Sequence, residues 1–131
     1  VDRQLIRYGN FHHDGGLHAA ESLLALTDPP TAIFAGSDQQ ATGVYEAVRR
    51  AGLSIPGDVS VVGFDDLNFA QWTAPSLTTV RQPLHEMGVA ATRTLLRIVN
   101  GERLGSTRIE LATDLVIRES TAPPRPRQPR G

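Results

Sequence analysis

Short apolar runs and segments repeating every 3.6 residues alternate along this chain, the pattern expected of βαβ units around a parallel sheet. The run Gln4 to Gly9 (QLIRYG) predicts a first strand, and Thr31 to Gly36 (TAIFAG) predicts a second. Between them lies a helical stretch from Asp14, with Leu17, Ala20 and Leu24 on one stripe and Asp14 as the expected N-cap. Asp28-Pro29-Pro30 stops it, since proline cannot continue a helix. Ala41, Val44, Tyr45, Val48 and Ala51 mark a second helix over residues 37–52, with Gly52 just past its end. Asp58 to Phe64 (DVSVVGF) is apolar nearly throughout, as a strand covered on both faces tends to be.

Ser76 to Gln82 (SLTTVRQ) predicts a further strand, and Pro83 stands where a helix would begin. The strongest periodicity follows, with Leu84, Met87, Ala91, Leu95 and Ile98 in one stripe closed by Asn100-Gly101. Residues 106–111 (STRIEL) and 113–120 (TDLVIRES) predict two more short strands. The proline- and arginine-rich end, residues 121–131, has nothing to bury and is expected to be a disordered tail.

Length and composition narrow the class. At 131 residues and 40% hydrophobic the chain is one ordinary domain with enough apolar surface for a core. It has no cysteine, which removes disulfides, zinc–thiolate sites and cysteine nucleophiles. Its basic residues are all arginine, which removes Schiff-base chemistry and the P-loop lysine, and a net charge of -1 argues against a domain built to neutralise phosphates. No run reaches the roughly 18 to 20 apolar residues of a membrane span, and no secretory signal is visible. Starting at Val1, already near a strand-like run, the sequence reads as a piece of a longer protein.

Candidate chemistry follows from the sheet. In an open parallel sheet, ligands bind beyond the carboxyl ends of the strands, where loops converge. After the predicted strands come Phe11, then Ser37 and Asp38, then Asp65 and Asp66, then Arg81 and Gln82. A ring, a hydroxyl, a carboxylate and an amide suit a hydroxyl-rich ligand such as a sugar, whose paired hydroxyls a carboxylate accepts and whose C–H faces stack on an aromatic. Plainer readings stand beside this one. Asp38 precedes a helix as an N-cap would, Asp66 before Leu67-Asn68 fits turn chemistry, and Phe11 fits a core position. The acid pair raises phosphoryl transfer or metal hydrolysis, yet no lysine or phosphate loop accompanies it. His12, His13 and Asp14 are adjacent, a spacing that suits a surface better than a metal.

The stretch from Pro29 to Gly88, with P-x-A-x-x-x-x-x-D, GDVSVVGFDD and LTTVRQP, resembles the effector domain of LacI/GalR-family bacterial transcriptional repressors, and LVIRES resembles that family's closing strand. The likeness runs from about Arg7 to Ser120. It implies an α/β fold: one doubly wound, parallel-sheet lobe of a type I periplasmic-binding-protein-like architecture, truncated at its N-terminus. Residues 1–120 are then the C-terminal part of the effector domain, with 83–111 crossing to the other lobe.

By the same resemblance Phe11, Ser37, Asp65 and Gln82 face a small-molecule effector, expected to be a sugar, while Asp38 and Asp66 stay structural. Thr42, Tyr45, Phe69 and Trp72 fall in the contact of a homodimer. No cofactor, metal or catalytic residue is implied, and no membrane; the location would be cytoplasmic. Operator DNA would be bound only through a helix-turn-helix headpiece preceding Val1. A transporter's solute receptor shares the fold and is the alternative. Without its partner lobe, the stripe on residues 84–98 is expected to fold back on its own sheet or to pack on a second copy, because each large apolar side chain gains about 1.5–3 kcal/mol on burial.

Overall fold

The computed structural model describes residues 2–103, 105 and 108–124. Its elements are α1 (His13–Leu24), β1 (Ala32–Phe34), α2 (Asp38–Arg50), β2 (Ser60–Asp65), β3 (Thr78–Arg81), α3 (Leu84–Val99) and β4 (Asp114–Val116), with short 3₁₀ turns at Arg3–Leu5 and Asn68–Gln71. The sheet runs β1-β2-β3-β4. β1, β2 and β3 are parallel neighbours, with Ile33 opposite Val61, Gly63 opposite Thr79 and Asp65 opposite Arg81. β4 returns antiparallel to β3, placing Val116 opposite Thr79. The expected α/β lobe is therefore present, with an antiparallel edge strand added to its parallel core.

The core lies between α1, α2 and one face of the sheet. Leu17, Ala20 and Leu23 of α1, Ala41, Val44, Ala47 and Val48 of α2, and Ile33, Val61 and Leu77 from the sheet side form one buried cluster. Contact between the helices is backbone to backbone: a Cβ on Gly43 would run into the main chain of His13 and Leu17, so only glycine allows this approach. Side chains alternating to the sheet's other face are less covered, with Phe34 62% and Leu115 59% exposed.

Residues 117–122 continue past β4 and close the sheet's lower end. The Ser120 hydroxyl donates to the Val61 carbonyl at 2.6 Å and accepts from the Thr78 N–H at 2.8 Å. The Val61 N–H donates to the Ser120 carbonyl at 2.9 Å. Thr121 and Ala122, expected to begin the tail, are held by Thr78 and Ser60. Residues 125–131 lie outside the described residues.

Several expectations change. Gln4 to Gly9 forms no strand, because Arg3–Leu5 turns as 3₁₀ and the Arg7 guanidinium donates to the Gln4 and Ile6 carbonyls at 2.7 and 2.9 Å, taking the place of a strand partner. Asp14 does not cap α1. His12 holds that position without a side-chain bond, and Asp14 accepts instead from the Asn10 amide at 3.3 Å. Residues 108–111 form no strand, while 106 and 107 lie outside the described residues. α3 does not fold back: none of its residues is buried, and Leu95, Leu96 and Ile98 are all more than half exposed.

Candidate functional site

The carboxyl ends of β1, β2 and β3 are neighbours along one rim of the sheet, and Ser37, Asp65 and Gln82 stand at or just past them. Phe11 reaches it from the α1 approach: its backbone takes φ 64°, its ring is 65% exposed, and a Cβ on Gly36 at the end of β1 would sit 3.7 Å from the ring. Asp65 ends β2 on the neighbouring strand and accepts from the Gln82 amide at 2.6 Å. Gln82 follows β3. The rim thus joins an open aromatic face, a half-buried carboxylate and an amide that orients it.

Ser37 is present but otherwise engaged. It is buried, donates to the Phe11 carbonyl at 2.8 Å, and accepts from the Gln40 N–H at 3.0 Å as the N-cap of α2. Its work is to start the helix and to hold Phe11 in its left-handed conformation. This corrects the N-cap expectation for Asp38, since the cap is one residue earlier.

The two adjacent acids part ways. Asp65 has φ 115° and Asp66 φ 54°, conformations that cost about 1–3 kcal/mol each in a non-glycine residue and persist only when neighbours enforce them. Asp66 turns from the rim into a double arginine clamp, accepting from Arg81 and Arg118 at 2.6 Å each. Burial alone pushes its carboxyl up, but the hydrogen bonds from Arg118 and Arg81 outweigh that and hold it below the usual aspartate range. Asp66 is a structural anchor, and the pair does not act as two convergent acids. Arg118 contributes through a bond to the Leu77 carbonyl as well, at 2.7 Å. Sequence reading passed over Arg118, whose only signal is a charge directly behind the apolar run Leu115-Val116-Ile117.

Asp38 is the fully buried acid. Its Oδ1 accepts from the Thr79 hydroxyl at 2.6 Å and its Oδ2 from the Leu67 N–H at 2.7 Å. Burial pushes its carboxyl up, against the pull of these two donors. Among the described residues no group of three or more acidic or histidine side chains could hold a metal ion, and His12 and His13 bond instead to Gln39 and Thr42. No helix of the described residues is long and apolar enough to cross a membrane.

Of the residues expected at a dimer contact, two line one groove and two belong to the turn after β2. Thr42 and Tyr45 line a surface groove with Pro75, and the Tyr45 hydroxyl donates to the Pro75 carbonyl at 3.0 Å. Phe69 is half-buried in the Asn68–Gln71 turn, and Trp72 just after it is 73% exposed. A second groove, about 490 Å³, follows the β1 edge between Leu5, Ile6 and Phe34; it contains none of Phe11, Ser37, Asp65 or Gln82.

Residues 3–121 match the model of the periplasmic binding protein-like domain. Over 121 residues the chain is 40% identical to the HTH-type transcriptional repressor CytR of Escherichia coli K12, covering 92% of this chain and 36% of that protein. It is 41% identical over 122 residues to the HTH-type transcriptional regulator MalR of Streptomyces coelicolor, covering 93% of this chain and 35% of that one. Among solved structures, the transcriptional regulator CelR–cellobiose complex superposes with a TM-score of 0.87 at 37% identity, over 92% of this chain and 37% of the other. The chain therefore spans about a third of the length of the curated relatives it matches.

Proposed function

We propose a function from one premise: this chain belongs to the periplasmic-binding-protein-like family, in its branch of LacI-type bacterial transcriptional regulators. It is the C-terminal lobe of a ligand-controlled repressor, reading a small hydroxyl-rich effector, a sugar, at a rim built from Phe11, Asp65 and Gln82. The observation that supports this most is that the open Phe11 ring lies by Gly36, just past β1, while the Asp65 carboxylate closes the neighbouring strand β2. A ring and a carboxylate on adjacent strand ends are the two contacts a sugar's C–H face and hydroxyls require. That a related regulator is described in complex with cellobiose agrees with this class of ligand.

Ser37 acts one step back, fixing Phe11 rather than touching the effector. Residues 83–111 serve a second lobe, and the apolar stripe of α3, none of whose residues is buried, supports that assignment. The protein works as a homodimer through Thr42, Tyr45, Phe69 and Trp72, in the cytoplasm, and reaches operator DNA through a separate headpiece. Its relatives' names as regulators favour this over a transporter's receptor, and the commitment of Asp66 to two arginines disfavours an enzyme.

The test is calorimetry on the full-length protein with a panel of ribose, xylose, glucose and cellobiose. Asp65→Asn weakens binding by about 10- to 100-fold, the loss of charge-assisted hydrogen bonds. Its unfolding midpoint stays close to that of the unsubstituted protein. Equal affinity in the variant would overturn the assignment of Asp65.

A further inference from the structure

We infer that Asp38 is a positioning residue for Asp65, the buried strut that aims the effector carboxylate out of the sheet; the effector part of this role rests on the reading above. Asp38 opens α2 and is fully buried beneath the rim's more exposed side chains. Both its oxygens are spent on the segment that carries Asp65. One binds the Leu67 N–H, two residues past Asp65, and the other binds Thr79, the partner of Gly63 in the sheet register. The carboxylate also lies directly on Gly63, two residues before Asp65, because a Cβ there would collide with Oδ1. Residues 63–67 are thus fixed at both ends by a single side chain.

Between those two points the backbone takes positive φ at Asp65 and Asp66, a region that aspartate enters more readily than most residues but still at a cost, so two in succession need support from their neighbours. Asp66 is held by Arg81 and Arg118 and Leu67 by Asp38, and between these fixed points Asp65 meets the Gln82 amide. Without the Leu67 anchor the loop is free to relax toward ordinary backbone angles, and the carboxylate loses its aim while the core below it stays packed. The nearby charges of Asp65 and Asp66 add to burial in raising the Asp38 carboxyl, a cost accepted at a position whose yield is loop geometry.

Asp38→Asn in the full-length protein tests this, since the amide keeps the volume and can still accept one hydrogen bond. Hydrogen–deuterium exchange is followed over residues 63–68, with affinity measured for the tightest binder among ribose, xylose, glucose and cellobiose. The expected result is faster exchange confined to 63–68 and roughly tenfold weaker binding. Val48→Ala, in the α2 core away from the rim, serves as the control: it lowers stability but keeps affinity. Normal exchange at 63–68, or faster exchange with unchanged affinity, overturns the positioning role. If affinity falls as much in Val48→Ala as in Asp38→Asn, the effect is general destabilisation and the role is again overturned. Should no sugar bind even the unsubstituted protein, the effector reading fails, and local exchange alone then decides whether Asp38 holds the loop.

Discussion

Asp38 and Asp66 answer acid in opposite directions. Asp66 has its folded pKa lowered, so its contribution is present above about 3.8, the unfolded value, and is lost as pH falls through the lower folded one. Asp38 has its pKa raised, so its ionised form opposes folding: stability is fullest below the unfolded value and declines as pH rises through the folded one. Asp66→Asn, which leaves the mostly buried Arg118 without its carboxylate, is expected to cost about 2 kcal/mol at neutral pH in urea denaturation. That difference narrows below pH 4 as the unsubstituted protein loses the same clamp. A difference independent of pH would mean the arginines contribute by packing alone. The sequence shows the two acids of SVVGFDDLN as equals, and turn chemistry for Asp66 was the nearest reading it allowed. What separates them is Arg118, 52 residues downstream, and no local pattern carries that distance. The N-cap expected at Asp38 falls one residue earlier, on Ser37, because both residues suit a cap and only the backbone angles decide between them.

α3 shows how far periodicity reaches and where it stops. Its repeat placed a helix at residues 83–101, and the structure has it at Leu84–Val99. Where it packs is a tertiary matter that the repeat cannot hold, and the expected return to the sheet does not occur. In the monomeric range of concentration, Leu95→Ser is therefore expected to change unfolding free energy by less than about 0.5 kcal/mol. Leu77→Ala, at a fully buried side chain, costs about 2–5 kcal/mol. Comparable costs in the two variants would show that α3 is packed on this lobe in solution. The first apolar run failed for a different reason. QLIRYG has strand composition, but Arg7 satisfies its carbonyls from the side and no neighbouring strand claims them.

Alternation of strand and helix was enough to read the α/β class of the whole molecule, because the period of each segment is set by the elements it forms. The antiparallel return of β4 was not legible, since a short strand's direction depends on what lies beside it. Phe34, Leu115 and Ile117, with the α3 stripe, leave more apolar surface open than a lone globular chain normally tolerates. The 131-residue chain by itself is expected to bind an apolar-surface dye and to sediment as concentration-dependent oligomers. A strict monomer without dye binding would show that these faces close on one another.

Ser120 sets an order of events. It sits 59 residues from Val61 and 42 from Thr78, yet it supplies hydrogen-bond partners to both at the foot of neighbouring parallel strands. Pairings this far apart form slowly, since the loop must close before the contact rewards it. During synthesis, β2 and β3 emerge long before their clasp is made, and the lower margin of the sheet stays unsealed until residue 120 clears the ribosome. This lobe completes itself only after translation has passed its last strand.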